Sequence, residues 1–193
     1  FSFPESDKVS SPLLTIQQAD LGYDAKAVIR DFATSILPGA RIGLLGPNGA
    51  GKSTLVKTLV GDIAQLSGQR SQGEHLNIGY FAQHQVDELN QQSTPLQVLQ
   101  AVDPKKSEQE IRNFLGGFDF RSSRIGEQVS IFSGGEKARL ALAMVVWQKP
   151  NLLVLDEPTN HLDAETIAWL EKHLREYPGS VLMITHDRFF LEI

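Results

Sequence analysis

Apolar positions in this chain follow two rhythms, short unbroken runs and stretches of helical spacing, and their alternation predicts strands and helices wound into an α/β fold. Positions 42–45 (IGLL) and 152–155 (LLVL) contain no polar side chain, which predicts strands buried on both faces of a parallel sheet. Positions 181–185 predict a last buried strand. Segments 13–16 and 28–36 read as β, separated by the turn-rich Gly22-Tyr23-Asp24, and Pro38-Gly39 closes this first sheet. A short strand is predicted at 77–82, beyond Gly61 and Gly68. Helical spacing predicts helices over 53–60, 107–115, 138–147 and 164–176. Ile111, Phe114 and Leu115 share one face of the second, and Ile167, Leu170 and Leu174 the inner face of the last. Gly116-Gly117 is expected to stop the second helix and Lys149-Pro150 the third. A shorter amphipathic segment carries Leu96, Val98, Leu99 and Val102, so 91–148 reads as a small helical lobe set into the α/β core. Residues 1–12, rich in Ser and Pro and without a period, read as an extended linker.

The chain has 193 residues, enough for one domain with a real core. It contains no cysteine, which excludes disulfides and thiolate metal sites and suits a reducing compartment. No apolar run is long enough to span a bilayer, and no charged-then-apolar leader is present. The formal net charge of −5 argues against holding nucleic acid by overall charge, so any RNA contact needs a local patch. Lys105, Lys106, Arg112, Arg121 and Arg124 offer one on the helical lobe, or else a solvated surface. The first residue is Phe1, and a new element begins at Arg188 just before the last residue, so the sequence reads as a piece of a longer polypeptide.

The chemistry centres on Gly46-Pro47-Asn48-Gly49-Ala50-Gly51-Lys52-Ser53-Thr54, a complete G-x-x-x-x-G-K-[ST] loop between a predicted strand and a predicted helix. The glycines let backbone N–H groups wrap phosphates, Lys52 is expected to reach the β and γ phosphates, and the Ser53 hydroxyl to bind Mg²⁺. Asp156 and Glu157 follow the apolar run at 152–155. Adjacent carboxylates repel in a dry site and make sense beside a cation. Asp156 is expected to hold Mg²⁺, directly or through water, and Glu157 to orient or deprotonate the water that attacks the γ-phosphate. As a bland alternative, such acids cap the next helix. Ser133-Gly134-Gly135-Glu136 opens a helix and is a second candidate anion-binding N-terminus, or simply a Ser cap. Tyr23 stands where an adenine would stack, or packs on its own sheet. His186 follows the last strand, so three polar clusters, after 45, 155 and 185, share the carboxyl rim of one sheet. His75, His84, His161 and His173 have no such placement and read as solvated or structural.

Taken in order, these motifs resemble the nucleotide-binding domain of ABC ATPases over nearly all of 13–193. The resemblance implies a P-loop NTPase with a mostly parallel core sheet, an antiparallel β subdomain and a helical subdomain, C-terminally truncated here. It implies ATP and Mg²⁺ as ligands. It assigns Gln83 as the Q-loop residue, contacting the metal and nucleotide, where position alone reads as a solvated loop. It further assigns Ser133, Gly134, Gly135 and Glu136 as the signature, Asp156 and Glu157 as Walker B with the catalytic glutamate, Asp163 as the D-loop and His186 as the switch histidine. Glu136 stands where many members carry Gln. The stretches FSGGEKARLA (132–141), EPTNHLD (157–163) and THDR (185–188) are similar to the ABC-F group of translation-associated ATPases, and GYFAQHQ (79–85) and LGGF (115–118) to the second domain of its YheS branch. That group implies a cytoplasmic protein with a sister ABC domain packed head to tail, ribosome and tRNA contact through the full-length chain, and no membrane part. The alternative is the nucleotide-binding subunit of a membrane transporter, which shares every catalytic residue. A chromosome-maintenance head needs a long coiled coil between Gln83 and Ser133, which are 133 − 83 = 50 positions apart without heptads. A catalytically silent module is disfavoured because Lys52, Asp156, Glu157 and His186 are all present.

Overall fold

The computed structural model describes residues 10–160 and 162–186; most of the expected linker (1–9), His161 and everything after His186 lie outside the described residues. Strands β1 (Leu14–Tyr23) and β2 (Lys26–Ile36) form an antiparallel hairpin. Its turn residues Asp24 and Ala25 have φ of 49° and 61°, the left-handed pair that a two-residue hairpin turn needs. β1 runs well past the expected 13–16. Alternation breaks at Gln17-Gln18 because the pairing shifts register there, with Gln18 and Asp31 at φ 45° and 49°. The irregularity is held by the Asp31 N–H donating to Asp20 Oδ1 at 2.9 Å.

β3 (Arg41–Leu44) leads into α1 (Lys52–Val60), and β4 (Gln69–Gln72) then pairs with β1 to complete a sheet of order β2-β1-β4. The sequence reading missed β4 because Gln-Arg-Ser-Gln has no apolar position to carry a period. β5 (Ile78–Phe81) and α2 (Gln83–Asp87) precede the helical lobe. The lobe comprises α3 (Pro95–Val102), α4 (Glu108–Gly117), α5 (Ser122–Ile125) and α6 (Gly134–Trp147). β6 (Leu152–Asp156), α7 (Ala164–Arg175) and β7 (Ser180–Ile184) follow. The second sheet is wholly parallel, in the order β3-β7-β6-β5.

Two cores meet at this parallel sheet, and the twofold period of its strands divides side chains between them. Leu152 and Val154 of β6 join Leu182 and Ile184 of β7 in a core with α1 and the hairpin. Leu153 and Leu155 join Val181 and Met183 in a core with the helical lobe and α7. β6 and β7 are therefore buried on both faces, as expected. β3 is not: it is one of the two edge strands among those described, with β5 at the other edge, Ile42 and Leu44 are partly buried and Leu45 is 45% exposed. β6 and β7 each have a neighbour on both sides, whereas β3 has only β7.

α4 takes in Gly116 and Gly117, expected to stop it just after Leu115, and ends at Gly117 with Phe118 as its C-cap. Phe118 is fully buried, with its ring 5.0 Å from that of Phe114 and 5.5 Å from that of Trp169. That anchorage outweighs the low helix propensity of the glycines. Gln83 likewise begins α2 and does not sit in a loop, its start secured by the Ala82 N–H donating to Gln85 Oε1 at 2.6 Å.

Candidate functional site

The parallel register places the strand ends side by side. Leu44 and Asp156 both pair with Ile184, and Leu155 with Phe81, so neighbouring ends lie about 4.8 Å apart. Two further bonds continue the pairing beyond the strands: Thr185 N–H donates to Leu44 O at 3.3 Å, and Glu157 N–H to Ile184 O at 2.8 Å. The phosphate loop, Asp156-Glu157 and His186 thus share one rim, with Gln83 at its far end after β5.

The loop itself is shaped for an anion. Gly49 and Gly51 have φ of 83° and 94°, and a Cβ on Gly51 would come within 3.1 Å of Val28 and Ile29 on β2. The β1–β2 hairpin therefore lies against the loop. The Gly51 N-cap gives α1 no side-chain cap, and no acid stands in its first turn. By contrast, Thr94, Ser107, Ser133 and Asp163 each cap their helix through a side-chain oxygen. An uncapped helix start with a lysine beside it fits a triphosphate. The Lys52 ammonium bonds to Gly46 O and, at 3.1 Å, to Pro47 O, which keeps it over the loop. For Mg²⁺ the rim offers the exposed Ser53 hydroxyl and the Asp156 carboxylate. So small a donor set suits an ion that takes its remaining ligands from phosphate and water.

Glu157 has φ 47°, a left-handed conformation that costs a residue with a side chain roughly 1–2 kcal/mol. The distortion turns its carboxylate to His186, whose backbone N–H and Nδ1 lie 3.3 and 2.9 Å from Glu157 Oε2. A carboxylate only accepts, so Nδ1 carries the hydrogen.

Tyr80, on β5, was not among the residues read from the sequence. Its hydroxyl donates to Asp156 Oδ2 at 2.8 Å, and burial first, then this bond, raises its pKa and keeps it a donor. Only the β5–β6 pairing reveals the contact. Replacing Tyr80 with Phe is expected to raise the Mg²⁺ concentration for half-maximal ATPase activity about tenfold, because partners behind a metal ligand set its orientation. An unchanged Mg²⁺ titration would show the bond to be structural only.

Tyr23 is 40% exposed at the hairpin tip, with Lys57 Nζ of α1 5.9 Å from its ring centre, so an exposed aromatic does stand beside the phosphate-loop helix. The Gln83 amide donates to Asp87 Oδ1 at 3.1 Å, one turn along its own helix, and among the described residues it has no hydrogen bond to the rim. Ser133 caps α6, accepting from Glu136 N–H at 3.2 Å while Glu136 Oε2 accepts from Ser133 N–H at 2.8 Å. A Cβ on Gly135 would lie 2.3 Å from Thr166 Oγ1, so the start of α6 is pressed against the start of α7. There Asp163 accepts from Thr166 N–H at 2.8 Å, a bond that holds its carboxyl below the usual range. Ser133–Glu136 and Asp163 form a second group, and among the described residues no hydrogen bond or ion pair joins it to the phosphate loop.

Three of the basic lobe residues are engaged locally: Lys106 with Glu110 at 3.0 Å, Arg112 with Glu108 at 2.7 Å, and Arg124 with Glu127 at 2.5 Å. The set is not a free basic face. His84 and His75 are exposed. His173 is buried, its Nδ1 2.7 Å from Trp169 O and its ring stacked on that of Trp169, a structural role.

Residues 29–160, more than half of the chain, match the family described as ABC transporter. The chain belongs to the ABC ATPase family. It is 46% identical over 191 residues to the probable ATP-binding protein YheS of Escherichia coli O6:H1, covering 99% of this chain and 30% of that protein. It is 37% identical over 188 residues to protein GCN20 of Saccharomyces cerevisiae, covering 97% and 25%. It is 38% identical over 193 residues to human ATP-binding cassette sub-family F member 3, covering 99% and 27%. The chain thus spans less than a third of each of these relatives. Among solved structures, cbiO1 of Clostridium perfringens, part of the ABC transporter complex cbiONQ, superposes with a TM-score of 0.75 at 26% identity, covering 91% of this chain and 78% of that one. The P-loop α/β architecture is therefore that of an ABC ATPase, and the relatives agree with the ABC-F resemblance. ABC ATPase domains bind ATP, generally with Mg²⁺, and membership implies ATP hydrolysis. Among the described residues no helix is long and apolar enough to cross a membrane.

Proposed function

We propose that this chain is the second nucleotide-binding domain of an ABC-F type ATPase, whose ATP-driven closure on a sister domain of the same polypeptide works on the ribosome and its tRNA from the cytoplasm. The observation that carries the ATPase reading is the Glu157–His186 contact at the strand ends beside the phosphate loop. Lys52, the amides of 46–54 and the start of α1 grip the triphosphate, and Tyr23 stacks on the adenine. Ser53, Asp156 and, once released from Asp87, Gln83 are the residues that would hold Mg²⁺, which would supply charge neutralisation to the triphosphate. Glu157 orients the attacking water and takes its proton, and His186 holds Glu157 in place.

Ser133, Gly134, Gly135, Glu136 and Asp163 serve the nucleotide of the sister domain. That no hydrogen bond or ion pair joins them to the phosphate loop among the described residues supports that division. The ABC-F reading is supported by the similarity to YheS and to a sub-family F member. The likeness to cbiO1, part of the ABC transporter complex cbiONQ, supports the second reading, a transporter subunit. Cosedimentation separates them. The full-length chain carrying Glu157→Gln is expected to pellet with ribosomes in ATP and to be released in ADP. Recovery with a membrane protein and none with ribosomes would favour the transporter.

A further inference from the structure

The signature turn carries a negative charge where the proposed reading needs it to receive another. Glu136 is the third residue of α6, and its carboxylate bonds back to the Ser133 N–H at 2.8 Å. The amides of Gly134 and Gly135 in the same turn, which the cap does not use, are the groups offered to a triphosphate. An anion there suits the helix dipole of the free domain but opposes the approach of a second anion. Arg124 answers this. Its Nε lies 3.1 Å from Glu136 Oε1 and its Nη1 2.5 Å from Glu127 Oε2. Its guanidinium lies over the ring of buried Phe132, 5.4 Å from the centre, and Phe132 in turn stacks on Phe120 at 5.8 Å. The Glu136 side chain is only 16% exposed, so this pair is less screened by solvent than the other ion pairs of the lobe.

We propose that Arg124 is a positioning residue of the signature: it offsets the charge of Glu136 and fixes its carboxylate in the cap, so that the Gly134 and Gly135 N–H groups meet the nucleotide of the facing domain against a reduced negative charge. The proposal rests on the shared-site reading above. It explains how a Glu works at a position where a neutral Gln would carry no such charge. Arg124, outwardly one of several surface cations, belongs to the site through Glu136.

The test is a double-mutant cycle on ATPase activity in the full-length chain, with Arg124→Gln, Glu136→Gln and both together, and with Arg124→Lys as the conservative variant. Arg124→Gln is expected to lower kcat about tenfold, with nucleotide affinity at this domain's own phosphate loop unchanged, and Arg124→Lys to recover part of the loss. In the Glu136→Gln background, losing Arg124 is expected to cost less than about twofold, because no charge remains at position 136 to offset. Equal losses in both backgrounds would make Arg124 a mere packing partner of Phe132, and wild-type kcat in Arg124→Gln would equally overturn the proposal. Ser133→Arg tests the underlying reading separately. If that variant turns over like the wild type, the signature does not act on nucleotide at all. If it is inactive while the cycle is additive, only the role of Arg124 falls.

Discussion

Glu157→Gln is expected to lower ATP turnover 10²- to 10⁴-fold while leaving ATP affinity within about twofold, the range set by loss of a positioned general base. The side chains are isosteric, so the left-handed backbone at Glu157 and its N–H bond to Ile184 O are retained. An amide oxygen still accepts from His186 Nδ1, so the contact at 2.9 Å survives in kind. What is removed is the negative charge and the ability to take a proton. Among the described residues no hydrogen bond or ion pair joins Lys52 or the start of α1 to Glu157, so binding is expected to be preserved and nucleotide retained in the closed state. Single-turnover kinetics with a filter assay for bound ATP check both halves. Wild-type turnover would remove Glu157 from its role, and a large loss of affinity would show instead that its carboxylate shapes the nucleotide pocket.

The second large effect is expected from concentration. If the Ser133–Glu136 turn serves the nucleotide of another domain, the isolated chain binds Mg-ATP alone and hydrolyses it slowly. Its total rate then rises with the square of protein concentration while pairs are sparse, and linearly once they are abundant. Complementation sharpens the test. A chain with Ser133→Arg keeps its own Glu157 and lacks a signature, and a chain with Glu157→Gln is the converse. Each alone is expected to be inactive. An equal mixture regains about a quarter of the wild-type rate, since half the symmetric pairs are mixed and each of those holds one intact site. A rate strictly proportional to concentration at every dilution, with no recovery on mixing, would mean that each chain holds a complete site.

Much of this site was legible because phosphate loops, caps and strand ends are local. The loop at 46–54, the acids after 152–155 and the Ser133 cap each occupy a few consecutive residues, and their chemistry is set by spacing along the chain. The contacts missed all depend on register between distant segments. Tyr80 meets Asp156 only because β5 pairs with β6 in one particular alignment. Arg124 meets Glu136 only because α5 folds against the start of α6, and before that it was one of five lobe cations.

Sequence alone decided the kind of chemistry: which residues can bind phosphate, which can bind a cation, and that their strands run parallel with helices between. These follow from short-range sterics and from the period of burial, which a one-dimensional pattern carries. Tertiary structure decided the rest: that β3 stands half-exposed at an edge, and that Glu157 is bent into the left-handed region beside His186. Edge position and the Glu157–His186 contact depend on which strand lies beside which and on packing against residues far along the chain, information held in the pairing of segments and in no one of them.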